Sequence, residues 1–193
     1  MGTARHLSLA ELEAGLDDIR RSPADGGGLE LIVRRPATGA REVLDAGELD
    51  AAVGLVGDNW LARGSSATPD RSAHPEMQLN VMNARVAALV ACHRDRWALA
   101  GDQLYVDLDL SDANLPPGSR LAIGEALIEI TEQPHLGCAK FVSRFGADAM
   151  KFVNSPVGRA LHLRGVNAKV IRGGPIRRGD RVWKRPTAAP RAT

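Results

Sequence analysis

Aromatic residues are scarce: three Trp, one Tyr and three Phe make up 4% of the 193 residues. A core must therefore be built from Leu, Val, Ile and Ala, and a stacking platform for single-stranded nucleic acid is not expected. Only two cysteines occur, Cys92 and Cys138, far apart and neither in a CxxC pair. That excludes a secreted disulfide framework and argues against a structural zinc site. No HxH, HExxH or carboxylate cluster is present, which disfavours a protein-bound catalytic zinc. No stretch approaches the ~18 consecutive apolar residues of a membrane helix. The N-terminus carries acids where a secretion signal would be apolar, so the sequence reads as cytoplasmic, with no membrane contact. Gly26-Gly27-Gly28 is followed by no Lys-Ser/Thr and preceded by no strand, so it is not a phosphate loop.

Acid is also missing, but from one region only. Residues 140–193 hold 13 Lys/Arg against Asp148 and Asp180, a balance of +11; residues 1–139 hold 12 against 21, a balance of −9. The net charge of +2 hides this split. An anionic partner for the C-terminal third would satisfy it: the phosphate of a small cofactor, nucleic acid, or the acidic part of the same chain. A plain solvated face is the bland alternative.

What is present describes one globular domain, 44% hydrophobic and 25% charged, long enough to fold without staples. Ser8 to Glu11 forms a capping-box pattern, and Leu9, Leu12, Leu16 and Ile19 follow at helical spacing, predicting a helix over about 8–21. Residues 29–34 and 40–44 read as a hairpin, and a weak second helix start lies near 45–53. Residues 62–75 are small and polar and read as a mobile loop. A strand at 78–81 follows, then a helix over 84–91 capped by Asn83. Strands are predicted at 104–110, 120–123, 126–132, 166–170 and 180–183, and helices around 147–153 and 156–163. This is a mainly β fold with a few short helices (α+β), one closed or nearly closed barrel. Its parts are a helical extension over 1–28, a barrel over 29–185 and a disordered tail over 186–193.

One stretch is more distinctive than the rest. Asp109-Leu110-Ser111, the turn Leu115-Pro116-Pro117-Gly118, Leu121-Ala122-Ile123-Gly124 and Glu129-Ile130-Thr131 lead to the single Cys138. Downstream come Arg164-Gly165-Val166-Asn167-Ala168-Lys169-Val170 and Gly179-Asp180-Arg181-Val182; upstream come Gly54-Leu55-Val56-Gly57-Asp58 and Gln78-Leu79-Asn80. In order and spacing these segments resemble the MOSC (molybdenum cofactor sulfurase C-terminal) domain family over about residues 29–184. The resemblance implies a mixed β-barrel with a pocket at one end, and a cysteine that carries sulfur or binds the metal of a molybdenum-pterin cofactor. Members are similar to the terminal domain of molybdenum-cofactor sulfurases and to the core of molybdenum-dependent reductases of N-hydroxylated compounds, which work with a redox partner protein. Cys138 matches the family cysteine by position, as catalytic residue and metal ligand. Arg164, Asn167 and Lys169 match the neighbourhood of the family's closing strand. His135 and Gly137 stand where many members have other residues.

The residues themselves carry the same reading. A cysteine is nucleophile or metal ligand as thiolate, and His135, Lys140, Arg144 and Lys151 surround Cys138 in sequence with groups that favour that form. A helix opening at Ala139 would add its N-terminal N–H groups. Gly137 would let the backbone approach a ligand closely. Cys92 ends an apolar run and reads as packing, and His162 lies between leucines like a core histidine. His135 is a general base for Cys138, a hydrogen-bond donor behind it, or a turn residue without a role. Lys140, Arg144, Arg164, Asn167 and Lys169 are the candidate cofactor-binding set, Arg as a bidentate fork and Lys as a point charge. Two functions follow: sulfur transfer or reduction at a molybdenum-pterin cofactor, or a non-enzymatic barrel whose basic third binds an acidic partner or nucleic acid. The sequence leaves open whether the protein is an enzyme.

Overall fold

Several strands are buried on consecutive residues because both faces of the sheet are covered there. A computed structural model describes residues 5–186. Its strands, in chain order, are β1 (Gly27–Arg34), β2 (Glu42–Leu44), β3 (Ala46–Asp50), β4 (Gly54–Leu55), β5 (Leu79–Asn83) and β6 (Leu104–Asp107). They continue with β7 (Arg120–Ile123), β8 (Ala126–Ile130), β9 (Val166–Arg172), β10 (Gly174–Arg177) and β11 (Arg181–Arg185). The main sheet runs β11-β7-β8-β9-β5-β6-β1-β2, and an additional β11–β1 pairing closes seven of these strands into a ring with β2 outside it. The β5–β6 pair is parallel and the other pairs are antiparallel, so the barrel is mixed, as the sequence suggested. A small sheet, β10-β3-β4, lies beside it.

Leu79, Val81, Leu104, Val106 and Ala168 belong to one buried cluster inside the ring. Met82 and Tyr105, one register position on, belong to a second cluster outside it, as period-2 alternation requires. On β1 a register shift between Leu29 and Leu31 changes the phase, so Leu29 and Ile32 point in while Leu31 and Val33 point out. The outer cluster is roofed by helices: α1 (Leu9–Ala14), α2 (Leu16–Arg20), α4 (Ala84–Ala91), α5 (Ala139–Phe145) and α6 (Ala147–Asn154), with α3 (Trp60–Arg63) and α7 (Pro156–Ala160) elsewhere on the surface.

Both predicted caps are formed. Ser8 makes a complete capping box with Glu11, and Asn83 accepts from the N–H groups of Arg85 and Val86. The expected helix over 8–21 is interrupted at Gly15, which ends α1 and starts α2 and where an added Cβ would come within 2.6 Å of the Leu89 side chain of α4. Leu12 and Ile19 of this N-terminal region are buried in the outer cluster. The helix expected near 45–53 is strand β3 instead, because β10 pairs with it from Gly174↔Leu49 to Arg177↔Ala46. Residues 62–75 begin with the end of α3 and continue as turns. Of the predicted tail, all but Pro186 lies outside the described residues. No described helix is long and apolar enough to cross a membrane.

Candidate functional site

Cys138 is exposed, and it immediately precedes α5, where the sequence placed it. It lines a cavity of about 200 Å³ together with Arg35, Arg41, Arg63, Lys140, Arg144 and Arg164. Two of these cations are neutralised at short range. Arg35 is buried in a bidentate pair with Asp58, its Nε donating to Oδ2 at 2.8 Å and its Nη2 to Oδ1 at 2.9 Å. Arg164 is buried on Asp102, its Nη1 donating to both carboxylate oxygens at 2.8 and 2.9 Å. Arg41, Arg63, Lys140 and Arg144 have no carboxylate within ion-pair distance among the described residues. Arg41 and Arg144 are instead tethered by carbonyls, Arg41 Nε to Ala98 at 3.2 Å and Arg144 Nη1 to Leu99 at 2.6 Å.

The crowding of positive charge is felt by its members. Burial, then Arg144 and Arg35 nearby, push the Arg41 guanidinium below its ordinary pKa. Burial and then Arg35 do the same at Arg63, although its side chain reaches solvent. An anion entering this cavity meets four cations that no carboxylate among the described residues neutralises.

Beneath the cavity runs a buried polar chain whose hydrogen-bond directions can be assigned. Arg35 Nη1 can only donate, so the Asn80 atom 3.1 Å away is its carbonyl oxygen. The Asn80 amide nitrogen then donates to Asn167 Oδ1 at 2.7 Å and to His135 Nδ1 at 2.9 Å. His135 therefore carries its proton on Nε2, which stands 3.3 Å from Asp102 Oδ1 but makes no hydrogen bond of proper geometry. Burial, then the positive charge of Arg164, lower the His135 pKa to about 4, against the opposing pull of Asp102, so the ring is neutral at pH 7.

The candidate residues separate into two groups. Cys138, Lys140, Arg144 and Arg164 meet at one cavity. His135 lines a different cavity, together with Gln133, Pro134 and Leu136 of the loop that leads to Cys138. Asn167 is fully buried and spends its amide nitrogen on the carbonyls of Gln133 and Pro134, at 3.0 and 3.3 Å. It shapes that loop and does not line the Cys138 cavity. Lys169 is bound to Glu76 at 2.8 Å and Glu129 at 3.4 Å, also away from the cavity. Gly137 gives close approach to α6 rather than to a ligand: its N–H donates to Asn154 Oδ1 at 2.9 Å, and an added Cβ would lie 3.1 Å from Val153. His162 is satisfied between the Leu110 carbonyl, at 2.7 Å, and Asp112, at 3.0 Å. Cys92, half-buried, ends α4.

Arg35, Arg41, Arg63, Asn80 and Asp102 were missed as site residues. Half of the unpaired cations, Arg41 and Arg63, come from the acidic part of the chain, so a charge count by segment points away from them. Gly57-Asp58 did carry a signal. The turn it makes delivers Asp58 to Arg35, and Gly57, at φ +81, has the Arg34 side chain 2.9 Å from where a Cβ would stand.

No family model matches the sequence, and no curated protein matches it. Solved structures do. YuaD from Bacillus subtilis superposes with a TM-score of 0.57 at 16% identity, over 82% of this chain and 94% of that one. YiiM from Escherichia coli gives 0.54 at 18%, over 84% and 71%. A hypothetical protein gives 0.55 at 20%, over 83% and 69%. Identities this low speak to architecture alone. The chain has the MOSC-type barrel fold of YuaD and YiiM, a single mixed β-barrel with a few short helices.

Proposed function

We propose that the Cys138 cavity binds an anionic, phosphate-bearing cofactor of the molybdenum-pterin type, with Cys138 as its thiolate ligand or as a carrier of sulfur. The observation behind this reading is one exposed thiol sharing a cavity with four cations that lack carboxylate partners. Arg41, Arg63, Lys140 and Arg144 would hold the phosphate, and Arg164, fixed by Asp102, would form the wall behind it. The described residues contain no group of three His, Cys, Asp or Glu able to hold a metal. A metal at Cys138 would thus arrive with its other ligands supplied, as a pterin dithiolate supplies them, and thiolate suits such a soft centre. When bound, that group supplies two-electron redox chemistry or accepts a terminal sulfur. The protein's own residues bind the phosphate, present one thiol and keep a neutral imidazole behind the wall. Sulfur transfer and reduction of N-hydroxylated compounds with a redox partner are the two reactions this arrangement serves.

The test is molybdenum and labile-sulfur analysis of the full chain purified from cells that make the cofactor, beside Cys138→Ala. The wild type should carry one or both and the variant neither. If both proteins are equally free of molybdenum and labile sulfur, the proposal falls. A second reading, binding of an acidic partner, is favoured by Arg181, the 45%-exposed Trp183 and Arg185, which alternate on the outer face of β11. It predicts oligonucleotide binding that weakens steeply with salt, and loss of binding in Trp183→Ala.

A further inference from the structure

The cations of the Cys138 cavity converge. Gly101, at φ +95, leaves open the space a side chain would fill, and two guanidinium groups reach it. Arg41 Nη2 and Arg144 Nη1 lie 3.4 and 3.6 Å from where a Gly101 Cβ would stand. Arg63, at the end of α3, and Lys140, in the first turn of α5, are exposed, and neither side chain makes a hydrogen bond among the described residues. No Asp or Glu among the described residues lines the cavity.

The thiol in this lining is reachable. Cys138 is exposed and free, whereas Cys92 is half-buried and lies outside the cavity. A thiol exchanges with a disulfide at a rate set partly by access and partly by how often the two sulfurs meet. A cleft lined by one sign of charge raises the local concentration of the opposite sign about 10- to 1,000-fold. Here that sign is negative, and the sulfur sits within the same lining.

We infer that the cavity is a thiol-modification site selective for small anionic disulfides, those whose halves carry carboxylates. The Cys138 thiolate attacks one sulfur of the disulfide while Arg41, Arg63, Lys140 and Arg144 hold the carboxylate. A bond from Cys138 to that sulfur forms, the original S–S bond breaks, and the other half leaves as a thiolate. The thiol proton goes to solvent; Cys138 is oxidised to a mixed disulfide and the departing half is reduced. The inference rests on the cation set of the proposed cofactor site, but not on molybdenum. Both occupants use the same cations and the same sulfur, so the mixed disulfide shuts the cofactor out.

The test uses the full chain with Cys92→Ser, made in cells without the cofactor, at fixed pH and low ionic strength. Three disulfides of similar size are compared: dithiodipropionate (anionic), hydroxyethyl disulfide (neutral) and cystamine (cationic). Mixed-disulfide formation is timed by mass spectrometry, and each rate is divided by that of the same reagent with N-acetylcysteine amide. Dithiodipropionate should lead the neutral reagent by about tenfold, with cystamine last. Molar salt or millimolar pyrophosphate should remove most of the lead. Arg63→Glu combined with Lys140→Glu should reverse the order, and Lys140→Gln alone should cut the lead by about threefold. A changed thiolate fraction moves all three reagents alike and cancels in the ratio. Equal normalised rates would overturn the inference, as would a lead untouched by pyrophosphate or by the charge variants. Molybdenum absent from the wild type with this preference intact removes the cofactor reading alone; molybdenum present without the preference removes this inference alone.

Discussion

His135 links the candidate site to the pH dependence of the fold. Its folded pKa of about 4 lies below the 6.5 of a free imidazole, because the ring is buried, with only about 10% of its side chain exposed, and faces Arg164. A group with a depressed folded pKa binds fewer protons in the native state than in the unfolded one. Its contribution is fully present above pH 6.5 and is lost as pH falls from 6.5 toward 4. The size is on the order of 3 kcal/mol across that window. Urea unfolding at pH 7.5, 5.5 and 4.5 should show the decline, and His135→Gln should flatten it; an unchanged slope would mean that another group sets it. Asn80 is the neighbour on which the chain of hydrogen bonds turns, with Arg35, Asn167 and His135 all on its one amide. Asn80→Ala strands buried groups on three sides and should cost about 2–3 kcal/mol in the same assay at pH 7.5. A loss under about 0.5 kcal/mol would show that water replaces the amide without penalty.

Elements that announce themselves locally were legible; elements defined by a distant partner were not. The capping box at Ser8, the Asn83 cap and the strands around Gly124 are written in adjacent residues, and they formed where expected. Strand β3 exists because β10, more than a hundred residues later, pairs with it, and its own sequence, Ala-Gly-Glu-Leu-Asp, has little β character. The site divided the same way. Cys138 with Lys140 and Arg144 was visible as a sequence neighbourhood, whereas Arg41 and Arg63 reach the cavity only through the fold. Gly165 lies between these cases. Read as part of the closing strand region, it sits at φ +105, and an added Cβ would stand 2.4 Å from the Val81 carbonyl. Gly165→Ala must therefore push β9 from β5 as well as strain the backbone. The dihedral alone costs about 1–3 kcal/mol. A melting temperature within a degree of wild type would contradict that account.

At the scale of the whole molecule, the acidic and basic parts of the chain do not simply neutralise one another. The fold pairs Arg35 with Asp58, Arg164 with Asp102 and Lys169 with Glu76, and still leaves Arg41, Arg63, Lys140 and Arg144 together around one cavity. Like charges gathered without an anion oppose folding, and the depressed pKa of Arg41 reflects burial first and then repulsion from Arg144 and Arg35. Proteins accept such a loss of stability where a ligand later relieves it. The consequence is a pair of opposite effects from one substitution. In low salt and without anion, Arg41→Gln should melt a few degrees above wild type, because it removes a half-buried cation from a positive cluster. In pyrophosphate the order should reverse: the wild type gains stability by mass action while the variant gains much less. Scanning calorimetry at low ionic strength, with and without millimolar pyrophosphate, reads both. If Arg41→Gln melts lower in both conditions, the guanidinium is a structural tether to the Ala98 carbonyl, and the cavity is not poised for an anion.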